Sequence, residues 1–216
     1  MISFVPSNQT MEKPDKRSSI LAAAEVLFSE LGYEGTSTRQ IAKESGANMS
    51  MINYYFGSKE GVFLEIMNRR MENFKAELTI IDEYKISPME KLFMVVEGYA
   101  QRILANCSFH KMMHRELSLA QRPEMYNKVK AAMTGNLMVI ERIIHQGIAD
   151  GSFRPIDIRM LMASLMGTIT YVATMPSKIT DGSVLDITIP KDREILTERL
   201  ITHLKDLVIT YLTPKQ

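Results

Sequence analysis

Apolar residues recur along this chain at intervals of three and four, the spacing that places them on one side of an α-helix. Ile20, Leu21, Ala24, Leu27, Phe28 and Leu31 mark the first such face, on a helix from about Lys16 to Leu31 that Asp15 caps and Gly32 ends. Thr36, Ser37 and Thr38 then supply caps for a short helix, about Thr38 to Ser45, which buries Ile41 and Ala42 and stops at Gly46. Asn48 opens a third helix, about Met49 to Phe56, with Ile52, Tyr55 and Phe56 inward and Ser50, Met51, Asn53 and Tyr54 mainly outward. Gly57 breaks the chain and Ser58 caps a longer helix that carries Phe63, Ile66, Met67 and Arg70 and runs to about Glu77.

The remainder is also read as helices punctuated by proline and glycine. Ser87-Pro88 starts one that runs to about Asn106, Ser108 to Ala120 forms another, and Pro123 sits at the first position of a long helix to about Ala149. Asp150 to Pro155 is a turn, Asp157 caps a helix to Met175, residues 177–190 form a loop, and Lys191 to Leu212 is the last helix. No alternating pattern of useful length points to a strand, and there is no internal repeat. The expectation is an all-α chain: a tail over 1–14, three short helices over 15–62 with a linking helix to about 77, and a helical bundle over 78–216.

The last two helices carry distinctive faces. Ala163, Gly167, Thr170 and Thr174 form a stripe of small residues that permits close helix approach. Leu200, Leu204, Leu207 and Tyr211 form a seam of the a/d kind, widened by Ile201, Val208 and Leu212. Both faces fit intramolecular packing, and both fit a dimer made by two helices from each chain.

Composition narrows the function classes. The 216 residues are 45% hydrophobic and 24% charged, too apolar for a disordered chain. A net charge of +1 excludes a strongly basic coat of nucleic acid but leaves a localised nucleic-acid surface open. The lone Cys107 makes no intrachain disulfide, consistent with a reducing compartment such as the cytoplasm. The N-terminal residues lack the basic and apolar regions of a signal peptide. The uncharged run from Met160 to Ser177 contains Gly167, three threonines and Pro176, and reads as a buried helix rather than a membrane span.

Two short helices joined at Gly46 behind an amphipathic helix form the helix-turn-helix pattern. In such a unit the second helix offers a narrow outward face to the major groove. Here that face is Met49, Ser50, Met51, Asn53 and Tyr54, free of acid. Asn pairs with an adenine edge, and a methyl-bearing side chain packs on the thymine methyl. Arg39 reaches a guanine or a phosphate, and the helix start at Ser58-Lys59 offers an anion site. Residues 1–75 hold nine basic and nine acidic side chains, so binding would rely on paired subunits and depend on salt.

The string Gly32-Tyr33-Glu34-Gly35-Thr36-Ser37-Thr38-Arg39-Gln40-Ile41-Ala42, followed by Gly46-Ala47-Asn48-Met49-Ser50-Met51-Ile52-Asn53-Tyr54-Tyr55-Phe56-Gly57-Ser58-Lys59-Glu60, closely resembles the TetR/AcrR family of bacterial transcriptional regulators. The resemblance implies an all-helical homodimer with an N-terminal DNA-binding domain, a C-terminal domain that binds a small molecule, and dimerisation through the last two helices. By position, Thr38 and Arg39 match backbone- and base-contacting places. Met49, Ser50 and Met51 match the groove-reading start of the recognition helix. Asn53, Tyr54 and Tyr55 match a phosphate-contacting cluster, although the family often has tyrosine where Asn53 stands. Lys59 matches a phosphate-binding lysine.

Other chemistry is thinly signalled. His110 and His114 lie four apart, the spacing of two metal ligands on one helix face, but Lys111 stands where a metalloprotease needs glutamate. They are read as solvated histidines, and Cys107 as a small buried hydrophobe. No metal, cofactor or catalytic constellation is expected, hence no enzyme. The 17 methionines are more informative. Met94, Met112, Met113, Met133, Met162 and Met166 suit a pocket for a hydrophobic effector, with Glu97, Gln101 and Glu116 as polar contacts. The expected function is a ligand-responsive repressor released from a palindromic operator, with double-stranded DNA, a small hydrophobic effector and a second copy as partners and no membrane. The alternative is a helical protein-interaction module.

Overall fold

The computed structural model describes residues 15–119 and 123–214. The N-terminal tail expected over 1–14 lies outside the described residues. Among the described residues every regular element is a helix: α1 (Lys16–Gly35), α2 (Thr38–Glu44), α3 (Met49–Phe56), α4 (Lys59–Glu83), α5 (Pro88–Ala105), α6 (Cys107–Leu119), α7 (Pro123–Ala149), α8 (Ile158–Thr174), α9 (Pro176–Thr180) and α10 (Pro190–Leu212).

Local chemistry sets the boundaries. Asp15 accepts from the Arg17 amide to start α1, and Gly32 breaks its helical path with φ 76°. Ser37 and Gln40 form a reciprocal capping box on α2, and Ser87 with Glu90 forms another on α5. Ser58 caps α4 and Asp157 caps α8. α4 runs to Glu83, six residues past its expected end, because Leu78 continues its inward face and is fully buried. The expected loop after Met175 contains the single turn of α9, started by Pro176.

Two apolar cores share α4. The first half of α4 joins α1, α2 and α3 around Ile20, Phe28, Ile41, Ile52, Phe63 and Met67, and α6 completes this core with Phe109, Met112 and Met113. Leu31, expected inward, stays half exposed because its helix turns at Gly32. The second half of α4 joins α5, α7, α8 and α10 around Leu78, Leu92, Ile143, Leu165, Leu200 and Leu204. α4 lies along α7, α10 lies against α5, and α6 bridges α1 on one side and α8 on the other.

This packing corrects the expected dimer seam. Leu200 and Leu204 are buried in their own chain's core, because the apolar stripe of α10 is used against α5. Leu207 packs partly against the same core. Thr170 turns inward to two histidines of α6, and Thr174 is half-buried. Gly167 remains exposed beside Met160, Ser164 and Tyr171 on the outer side of α8, Ala163 is exposed on the side of α8 that lines an internal cavity, and Tyr211 is exposed on α10.

Candidate nucleic-acid interface and ligand cavity

The presentation of α3 begins with backbone chemistry. Gly46 takes φ 60° in the turn after α2, and the Ala47 amide closes that turn on the Ala42 carbonyl at 2.9 Å. Lys16 of α1 donates to the Gly46 carbonyl at 3.0 Å, which ties the turn to the first helix. Asn48 accepts from the Met51 amide at 2.9 Å and so starts α3. Ile52 alone on α3 is fully buried, and it anchors the helix like a peg. Met49, Ser50, Asn53, Tyr54 and Tyr55 are exposed around it, Tyr54 at 83%. Met51 and Thr38 are half-buried, and Arg39 is exposed at the start of α2. An exposed, acid-free helix face carrying an amide, a hydroxyl, two phenols and thioethers is a groove-reading surface in its chemistry.

Lys59 departs from its expected place. Its ammonium donates to the carbonyls of Tyr33 and Thr36, both at 2.9 Å, and lies 4.3 Å from the Tyr33 ring centre. The Glu34 carboxylate stands 4.0 Å away. These carbonyls at the end of α1 need donors, and Lys59 satisfies them. Lys59→Met is therefore expected to lower stability by about 1.5–3 kcal/mol, the range for hydrogen bonds from a charged donor. The slope of DNA affinity against salt should stay unchanged. A slope smaller by about one would instead mark a phosphate contact. Chemical unfolding and salt titration of DNA binding separate the two.

A cavity of about 570 Å³ opens between α4, α5, α6, α7 and α8. Of the residues expected to line it, Met113, Met133, Met162 and Met166 do so. Met112 instead packs into the N-terminal core with α1, and Glu97 pairs with Lys205 of α10. Gln101 faces solvent, Met94 is half-buried away from the cavity, and Glu116 is buried outside it. These five fall elsewhere because helical phase, not residue type, decides which side meets the cavity.

The cavity also presents groups that sequence reasoning missed. Arg70, Arg102, Lys130 and Arg159 line it with His110 and His114, and among the described residues no carboxylate does. Arg70 pairs with Glu25 and lies over the Phe109 ring, 4.1 Å from its centre. Arg102 pairs with Glu77 and lies 5.2 Å from the Phe74 ring centre. Burial pushes the Tyr99 phenol up to about 12, so it remains a neutral wall group. The signal for Arg70 and Arg102 was their place on apolar helix faces, where a long cationic side chain needs a reason.

His110 is buried rather than solvated as expected, whereas His114 stays exposed. His110 is 3% exposed, and the rings of His110 and His114 stand 4.8 Å apart. Both Nε2 atoms reach the Thr170 hydroxyl, at 3.3 and 3.4 Å. Among the described residues no group of three or more His, Cys, Asp or Glu could hold a metal. Burial first, then the neighbouring His114 and Arg70, pushes the His110 imidazole down to about 4. Its folded pKa lies below the ordinary value of 6.5, so the folded state binds fewer protons than the unfolded state between them. Stability is therefore expected to fall as pH drops from 6.5 toward 4, with a slope approaching about 1.4 kcal/mol per pH unit from this group. Unfolding curves across that range, repeated with His110→Phe, test this: the variant should lose that component of the slope. An unchanged slope contradicts it. Cys107 is half-buried, and burial raises its thiol pKa, in line with a packing role.

Comparison with known proteins agrees with this geometry. Residues 20–66 match the model of bacterial regulatory proteins of the tetR family, and residues 85–174 match a tetracyclin repressor-like C-terminal domain. The transcriptional repressor NicS of Pseudomonas putida is 32% identical over 162 residues, covering 69% of this chain and 71% of the relative. The chain belongs to the TetR family. It is a ligand-responsive, DNA-binding transcriptional regulator of the helix-turn-helix kind. Another TetR-family relative is the fatty acid metabolism regulator protein of Bacillus subtilis, 24% identical over 164 residues, covering 76% of this chain and 84% of the relative. The fold is that of the Bacillus subtilis regulator FadR in its crystal structure with stearoyl-CoA, with a TM-score of 0.69 at 22% identity over 87% of this chain and 96% of that one. Among the described residues, no helix is long and apolar enough to cross a membrane.

Proposed function

We propose that this TetR-family chain is a dimeric repressor that leaves a palindromic operator when an apolar anion, a fatty acid or its thioester, fills the cavity. The observation that carries the reading is the cavity wall: mostly apolar, with four Arg or Lys side chains and no carboxylate among the described residues. An alkyl chain finds Phe74, Ile103, Met162 and Ile140, and a negative head finds cations without an acid to repel it. Similarity to a fatty acid metabolism regulator of Bacillus subtilis, and to Bacillus subtilis FadR crystallised with stearoyl-CoA, supports the same class.

In this reading the unit over 15–62 reads DNA, the helix beyond it links, and 78–216 binds the effector and the second copy. Arg39, Met49, Ser50, Met51 and Asn53 meet bases or backbone, with Thr38, Tyr54 and Tyr55 on phosphate, while Lys59 holds the frame. The second copy meets the exposed outer side of α8 around Gly167 and Tyr171 and the free face of α10 near Tyr211. The protein acts in the cytoplasm, where its operator is. α6 supplies the coupling: Phe109 and Met112 belong to the N-terminal core, while His110 and His114 line the cavity. A ligand that favours a displaced α6 favours a dimer whose recognition helices no longer match successive major grooves, about 34–36 Å apart.

The test begins with genomic DNA fragments retained by the purified protein. A recovered inverted repeat should bind steeply less tightly as salt rises and far more tightly than a scrambled duplex. Equal affinity for both duplexes contradicts the reading.

A further inference from the structure

The cavity offers an anion two different places. Lys130 and Arg159 are exposed, with no carboxylate partner among the described residues. Arg70 and Arg102 line the cavity from α4 and α5, with side chains only 25% and 23% exposed. The geometry points to Arg70 and Arg102 as the receptor for an unesterified ligand carboxylate, with Arg70 shared between that carboxylate and Glu25 of α1. This rests on the proposal of an acyl effector and specifies its head group.

Unfinished hydrogen bonding marks this wall. Among the described residues, four buried side-chain atoms lack a partner: Arg70 Nε, Arg102 Nε, His110 Nδ1 and Asn136 Oδ1. All four residues line the cavity, and His110 and Asn136 are 3% and 6% exposed. A guanidinium carries five N–H donors in a planar fork, and the single carboxylate behind each arginine leaves donors over. Buried donors without acceptors are costly, and a carboxylate is the acceptor whose shape matches the fork. The two guanidinium groups also lie over Phe109 and Phe74, so an apolar chain attached to the bound head has aromatic wall beside it.

The tie to DNA binding runs through Glu25. This residue receives Arg70 and, at 3.2 Å, the Asn106 side-chain amide. Asn106 in turn accepts from the Phe109 amide at 3.0 Å, which caps the first turn of α6. A ligand carboxylate that draws Arg70 away leaves Glu25 with one partner and loosens the knot joining α1, α4 and α6.

The test measures dissociation constants for hexadecanoate, its methyl ester and hexadecanoyl-CoA by displacement of a fluorescent apolar probe from the full-length protein. Wild type should prefer the acid over the methyl ester by at least about tenfold. Arg102→Gln and Arg70→Lys should bring that ratio near unity while leaving the methyl ester within about twofold of wild type, since a lysine lacks the fork. Glu25→Gln removes the competing carboxylate and should tighten acid binding severalfold, an effect that misfolding does not mimic. The inference is overturned if the ratio survives in both arginine variants but vanishes in a Lys130→Gln, Arg159→Gln double variant, which would put the head at the rim. Binding of the CoA thioester or methyl ester without the acid overturns it while leaving the acyl-effector reading intact. No binding of any of the three overturns both.

Discussion

Phe28→Ala is expected to cost about 3–5 kcal/mol of unfolding free energy, the range for removing a fully buried aromatic side chain. Phe28 has no exposed surface. Its ring stacks on Tyr33 at 5.5 Å and meets Phe63 edge-on at 5.4 Å, and Tyr33 meets Phe63 at 5.2 Å. This triad joins the C-terminal half of α1 to α4 in the core that also takes Ile41 of α2 and Ile52 of α3. Its loss leaves a cavity that three helices cannot jointly close, so operator binding should fail with stability. Phe28→Leu keeps most of the volume and should cost less, about 1.5 kcal/mol or below if neighbours repack. Urea unfolding of both variants checks the pair. A cost under about 1 kcal/mol for Phe28→Ala would contradict the packing described.

Gly61→Ala should be nearly as damaging for a backbone reason. A Cβ on Gly61 would lie 1.8 Å from the Phe56 carbonyl oxygen, the last residue of α3. Backbone cannot rotate aside as a side chain can, so the connection between α3 and α4 must open. The same connection already uses Gly57 at φ 73° and the Ser58 hydroxyl accepting from the Gly61 amide at 3.1 Å. Expected are a loss of about 3 kcal/mol in stability and a fall in operator affinity on the order of 100-fold, as α3 is displaced from its peg at Ile52. The contrast is Gly98→Ala in the middle of α5, where a Cβ meets nothing within 4 Å. That change should stabilise by about 0.5–1 kcal/mol through helix propensity. A neutral Gly61→Ala would sink this account of the turn.

The contrast between these glycines shows what the sequence could convey. Gly32, Gly46 and Gly57 were legible as stops because caps and apolar periods surround them, and the helix Met49–Phe56 follows directly from Asn48, Ile52 and Gly57. The helix-turn-helix surface was therefore readable before any tertiary contact was known. The cavity was not. Met113 and Met162 reach it while Met112 and Met94 do not, although all four are methionines on amphipathic helices. Which side of α5 or α6 meets a void depends on how α4, α7 and α8 cross them, and periodicity carries no such information. Lys59 teaches the same lesson at one residue. The motif placed it by analogy on phosphate, whereas the end of α1 supplies two carbonyls within its reach. Leu200 and Leu204 satisfied a seam pattern that α5 had already claimed.

The most direct measurement is fluorescence anisotropy of the recovered operator with and without a saturating acyl ligand that is independently seen to fill the cavity. The account predicts binding at about 10⁻⁸ M or tighter without ligand and a weakening of at least tenfold with it, within the usual range of allosteric coupling. Identical affinity in both states, with the cavity occupied, would contradict it.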